Sequence, residues 1–240
     1  MLMSEQKGYS RRALELRAAE YYASIRKPES EWKSIDDLLP QRFEFTHLVY
    51  GGAYHQASEL LRTIDYNYMD RWGYYDLLEA LHTQLRDKLD YADHRGDNLD
   101  GLGRVRFVQG AIPEALSLHE KALELARIHH DHYRESRELE RLSVIYLRTG
   151  QLEKALSLQT QALMISQAKL CQDLELHQRA RLAVTHYFLR QIDAAIREWR
   201  TILPIAQKLK NLLWEGVCLA SLGSAYRRQG KMQESLAMYA

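Results

Sequence analysis

The chain has 240 residues, of which 27% are charged and 46% hydrophobic, with a net charge of +1. Four prolines and twelve glycines are few for an all-β or disordered chain, and the neutral balance gives no electrostatic reason to bind nucleic acid or a membrane surface. Cys171 and Cys218 have no metal-like spacing, which argues against a disulfide scaffold and fits a reducing cytoplasm. The start, Met1 to Gly8, lacks the apolar core of a signal peptide, and no stretch approaches the ~18 apolar residues of a membrane span.

Helix signals run the whole length. Ser10 to Ile25 reads as a first helix, ending before Lys27-Pro28. Glu29-Ser30 opens a short second helix that Pro40 stops. Phe43 to Tyr50 and Tyr54 to Ile64 form a pair around Gly51-Gly52, and Asp70 to about Leu89 reads as one long helix. Ten of the fifteen tyrosines lie in residues 1–91, where they suit packing between helices with their hydroxyls toward water.

From residue 95 onward a pattern returns every forty residues. Gly110-Ala-Ile-Pro-Glu-Ala-Leu is followed by Gly150-Gln-Leu-Glu-Lys-Ala-Leu, Arg190-Gln-Ile-Asp-Ala-Ala-Ile and Gly230-Lys-Met-Gln-Glu-Ser-Leu. Eight residues before each stand Leu102, Leu142, Leu182 and Leu222, each followed by a small residue: Gly103, Ser143, Ala183 and Gly223. Ala115, Ala155, Ala195 and Ser235 follow the turn, and four residues later come His119, Gln159, Trp199 and Tyr239. Small residues let facing antiparallel helices approach, and the large residue fills the adjoining groove. A fixed period of this length means stacked helical units.

Leu139, Leu142, Ser143, Tyr146, Gly150, Ala155 and Ala162, with Leu219, Leu222, Gly223, Tyr226, Gly230 and Tyr239, resemble the tetratricopeptide repeat. The third copy departs, with Arg190 for glycine and His186 for tyrosine. The forty-residue form is similar to the repeats of kinesin light chains and of bacterial signalling ATPases. The resemblance implies an all-α fold: a right-handed superhelical α-solenoid of antiparallel helix pairs, with about thirteen helices. Arg17-Ala-Ala-Glu-Tyr-Tyr, Trp32 and Phe43-Glu-Phe-Thr-His-Leu are similar to a segment of signal-transduction ATPases with numerous domains. That likeness implies the sensor end of a larger protein. No Gly-x-x-x-x-Gly-Lys-Ser/Thr loop occurs to cradle phosphates. The expected organisation is a helical linker at 1–40, a degenerate repeat region at 41–91 and the array at 92–240. The fourth copy is cut short near Ala240, as in a piece of a longer protein.

No catalytic constellation or cofactor site emerges. His129-His130-Asp131-His132 is the most metal-like cluster, but it reads as a solvated turn between helices, so no metal is expected. Asp36-Asp37 and Asp97 with Asp100 read as acids near helix N-termini, not as a catalytic pair. Both cysteines read as small packed residues.

In the tetratricopeptide family the first helix of each pair lines a binding groove. Carrying its outward positions over gives Arg104, Phe107, Arg137, Glu140, Arg141, Arg148, His177, Arg181, Tyr187, Arg227 and Arg228. The Lys and Asn clamp that holds peptide C-termini in that family is missing here. The arginines suit carboxylate or phosphate recognition. The expected partner is therefore a protein or peptide, an acidic one fitting best, together with other domains of a parent protein. The alternatives are a scaffold that self-associates through its last helix and a small-molecule-responsive regulatory domain.

Overall fold

A computed structural model describes residues 10–168 and 172–239, with side chains 172–174 excepted. Cys171 and the N-terminal segment lie outside the described residues. Among the described residues there are twelve α-helices and no strand. The count is close to the thirteen expected. The chain divides into two compact units, one ending at His129 and one starting at His130.

In the first unit, α1 (Arg11–Ser24) is capped by Ser10, whose side chain accepts from the Ala13 amide. Two 3₁₀ turns, Glu29–Glu31 and Ile35–Leu38, lead into α2 (Leu39–Tyr50). Pro40 does not stop a helix, as the sequence suggested; it sits in the first turn of α2. There its missing N–H costs nothing, because first-turn amides have no intrahelical partner. Helix α1 is held on α2 by paired contacts: His47 meets Glu15 at 2.7 Å, and Tyr22 stacks on Phe43 and His47. The approach is close at Gly51, where a Cβ would lie 2.7 Å from Leu16.

Helix α3 (Tyr54–Ile64) matches its expected bounds and runs on into a π-helical turn, Asp65–Asp70. The long helix expected from Asp70 to Leu89 is not there. Gly73 takes a left-handed φ of 81°, and α4 covers only Tyr75–Leu85. The apolar core of this unit gathers Leu38, Phe45, Ile64, Met69, Leu78 and Leu85.

From α5 the helices are regular. Helices α5 (Ala92–Val108) and α6 (Ile112–Ile128) close the first unit. The second holds α7 (His132–Arg148), α8 (Leu152–Ala168), α9 (Gln172–Phe188), α10 (Ile192–Lys208), α11 (Leu212–Arg228) and α12 (Met232–Tyr239). Each begins twenty residues after the last. Between them the backbone passes through a left-handed residue at Gly110, His130, Gly150, Arg190, Lys210 and Gly230. The forty-residue period therefore hides a twenty-residue one. Subtracting forty from α5 and α6 lands on α3 with its π turn, and on α4. The spacing thus reaches one pair further back than the glycine motif.

The small positions act as expected. A Cβ on Gly103 would lie 2.6 Å from His119, and one on Gly223 would lie 2.5 Å from Tyr239. In the second unit the core is built from Leu176, Ile196, Trp199, Ile202, Cys218, Leu222 and Tyr226. Burial pushes the Cys218 thiol pKa up to about 11, as befits a packed apolar residue.

Candidate functional site

Seven of the eleven expected groove residues fall on α7 and α9 of the second unit, and two on α11. The structure brings several of them into contact. Glu140 on α7 accepts from Gln178 on α9 at 3.3 Å and pairs with Arg181 at 3.4 Å. Gln178 is fully buried and also reaches the Ser136 hydroxyl at 3.4 Å. Between α9 and α11, His177 meets Trp214 edge to face at 5.1 Å. At the end of α11, Arg228 lies over the Tyr187 ring with its guanidinium carbon 4.3 Å from the centroid. Tyr187 in turn touches Trp199 and Phe188, and Phe188 is 60% exposed.

The result is one face of α7, α9 and α11 with two kinds of surface. An ion-paired patch of Glu140 and Arg181 lies between α7 and α9. An aromatic and cationic platform of Tyr187, Phe188 and Arg228 lies between α9 and α11, with exposed Arg227 beside it. Guanidinium over an aromatic face is an attractive contact that leaves the N–H fork free to meet a carboxylate. On α7, Arg137 lies over Tyr133 at 5.9 Å, Arg141 is half-buried and Arg148 is exposed. Sequence reasoning did not single out Gln178 or Trp214. A buried glutamine has no signature beyond its place in the helical stripe.

Arg104 is corrected. It is not an outward groove residue but a buried one, 7% exposed, bound to Asp65, Asp70 and Asp100. The two aspartates of the π turn come from 39 and 34 residues upstream. Burial alone would lower the Arg104 pKa, but the three carboxylates outweigh it and raise it. Asp100, expected near a helix N-terminus, likewise sits inside α5, four residues before its arginine. His82 on α4 joins the cluster, with Nε2 3.1 Å from Asp65 and Nδ1 2.9 Å from Asn98. Gly101 makes room for this imidazole, since a Cβ there would lie 2.1 Å from it. The cluster is an internal clasp. Phe107 is half-buried on α5.

The His129–His132 segment behaves as a turn. His130 takes the left-handed φ, and Asp131 caps α7 by accepting from the Arg134 amide at 3.0 Å. Asp37 likewise closes a capping box with Ser34 and pairs with Lys27 at 2.6 Å.

Residues 97–168 match the family model of the tetratricopeptide repeat. This segment is a tetratricopeptide-repeat array. Such an array is a protein-interaction scaffold, not a catalytic one. No curated protein matches the sequence. Among solved structures the chain is similar to BtubC from P. vanneervenii, with a TM-score of 0.68 at 16% identity over 96% of this chain and 89% of that one. The apo form of RapI gives 0.65 at 14% identity, over 94% and 74%. A signal-transduction ATPase with numerous domains and a tetratricopeptide-repeat sensor, from Pyrococcus horikoshii, gives 0.58 at 18% identity. This chain covers 37% of that protein and is itself 90% covered. These likenesses establish the all-α, tetratricopeptide-like solenoid fold. Among the described residues no helix is long and apolar enough to cross a membrane.

Proposed function

We propose that this chain is the ligand-sensing part of a larger signalling protein, and that the face of α7, α9 and α11 holds an acidic peptide segment of a partner. The observation that carries the reading is the Tyr187–Arg228 stack beside exposed Phe188. It offers an apolar anchor and a cation within one residue's reach. Exposed Arg227 supplies further positive charge beside it. The sensor role draws on the likeness to the Pyrococcus ATPase, whose tetratricopeptide repeats are its sensor. In that role residues 1–40 act as a linker, 41–91 as a degenerate repeat region and 92–240 as the array. A cytoplasmic setting suits the buried free thiol of Cys218.

Titration calorimetry with acidic, aromatic-containing peptides tests the site. Binding weakened tenfold or more by Tyr187→Ala with Arg228→Ala supports it. Affinity unchanged by that pair and by Arg141→Ala with Arg148→Ala and Arg181→Ala sinks the assignment. A second reading rests on Leu212, Leu213 and Leu236, which are 79%, 75% and 62% exposed on α11 and α12. They would suit self-association, and a strict monomer in light scattering at high concentration removes that reading.

A further inference from the structure

The first unit carries a recess of its own. Helix α4 has 11 residues where its counterpart α6 has 17. After Leu85 the chain leaves the helix, with Arg86 extended and Asp87 at a left-handed φ of 61°. What remains is a groove of about 910 Å³ along α5 and α6, closed at one end by Leu85 and Leu89. Its floor is aliphatic, chiefly Leu99, Leu118 and Leu125. Arg95 and Lys121 stand exposed on the rim, and neither makes an ion pair among the described residues. Arg106, at the far end, is held by Glu79 and Glu114 at 2.6 and 2.9 Å. Asp87 and Glu124 also reach the rim, alongside Arg86.

We infer that this groove docks an amphipathic helix of a partner protein, aliphatic on one face and acidic along the edge that meets Arg95 and Lys121. Its size supports a helix. From Arg95 to Arg106 the wall is ~16 Å long at the α-helical rise, and a helix of that length and ~10–12 Å diameter occupies roughly 1,300–1,800 Å³. The groove takes up half to three-quarters of that volume, so the helix lies in it by one face. An extended peptide fits less well. The backbones of α5 and α6 are bonded within their own helices, so a strand laid on leucines would bury unpaired N–H and C=O groups. A helix brings its backbone already satisfied and offers anchors at i, i+3, i+4 and i+7. Charge sets the edge: a carboxylate facing Arg95 or Lys121 meets a cation that makes no ion pair among the described residues.

The test uses the full chain and a capped helical peptide with leucines at i, i+3, i+4 and i+7 and glutamates beside them, followed by fluorescence anisotropy. Saturable binding is expected. It should fall tenfold or more with Arg95→Glu plus Lys121→Glu, and with Ser117→Trp, which fills the groove from an exposed position. Both variants lie on the surface, and circular dichroism should show them folded. Tyr187→Ala should leave this binding unchanged, which separates it from the peptide site of the second unit. The inference is overturned if the glutamate peptide does not bind. It is equally overturned if a lysine-substituted peptide binds as well, or if the groove variants bind normally. Occupation of the groove by a second copy of the chain, seen as a dimer that Ser117→Trp dissolves, also overturns it.

Discussion

Arg190 holds a backbone conformation that its counterparts Gly110, Gly150 and Gly230 reach without a side chain. Its φ is 60°, and its junction closes with the same bonds as that of Gly150. Gln151 donates to the Tyr146 carbonyl at 2.8 Å, and Gln191 donates to that of His186 at 2.9 Å. The left-handed region costs a non-glycine residue roughly 1–2 kcal/mol, part of which glycine gives back as unfolded-state entropy. Arg190→Gly should therefore stabilise the second unit by up to about 1 kcal/mol, read as a higher urea midpoint; an unchanged or lower midpoint refutes the strain. Gln159 gives a second case. It is fully buried at the position of His119, Trp199 and Tyr239, and neither amide atom has a hydrogen-bond partner among the described residues. Gln159→Leu removes two unsatisfied groups at similar volume, so a gain of about 1 kcal/mol is expected from the same measurement. The turn glycines and the small-for-large positions were legible because only certain side chains fit there. The turn at His130 was legible as a turn, but its left-handed backbone, like that of Lys210, was not, because neither side chain dictates the conformation it adopts.

At the scale of elements, the regular helices were legible and the π turn was not. Seventeen-residue helices announce themselves through apolar spacing and repeated register. The π turn is held by Arg104 and His82, residues distant in sequence, so nothing local marks Asp65 and Asp70 as their partners. Arg104 was misplaced for the same reason. A cation in an amphipathic pattern reads as solvent-facing unless its distant carboxylates are known. Helix–turn joints of this kind are sensitive to losing one charge. Arg104→Met leaves buried Asp65 and Asp100 and half-buried Asp70 with the cation gone, and should cost the first unit about 3–5 kcal/mol. Replacing Asp65, Asp70, Asp100 and Arg104 together with apolar residues should recover most of that loss. Thermal melts of both variants decide the matter: equal loss in the two would mean that the clasp itself supplies the stability.

At the scale of the whole molecule, each unit has its own core and its own depressed carboxylates, so each should fail in acid on its own account. In the first unit, burial would raise the Asp65 pKa, but Arg104 and His82 outweigh it and hold it low, and Gln109 and Arg106 lower that of Glu79. In the second, burial at Asp131 is outweighed by the Arg134 amide and guanidinium, again lowering the pKa. A carboxylate with a depressed folded pKa lends stability that is complete above its unfolded value, about 4, and is lost as pH falls through the folded value. Stability should thus be flat near neutrality and decline below about pH 4. The chain carries its own reporters, since Trp32 and Trp72 lie in the first unit and Trp199 and Trp214 in the second. Urea unfolding followed in variants that keep only one pair, the other replaced by phenylalanine, reads each unit separately. Asp65→Asn should flatten the acid decline seen by Trp32 and Trp72 while leaving that seen by Trp199 and Trp214 in place. If both reporters flatten together, the two units unfold as one cooperative body, and the acid response belongs to the molecule, not to either core.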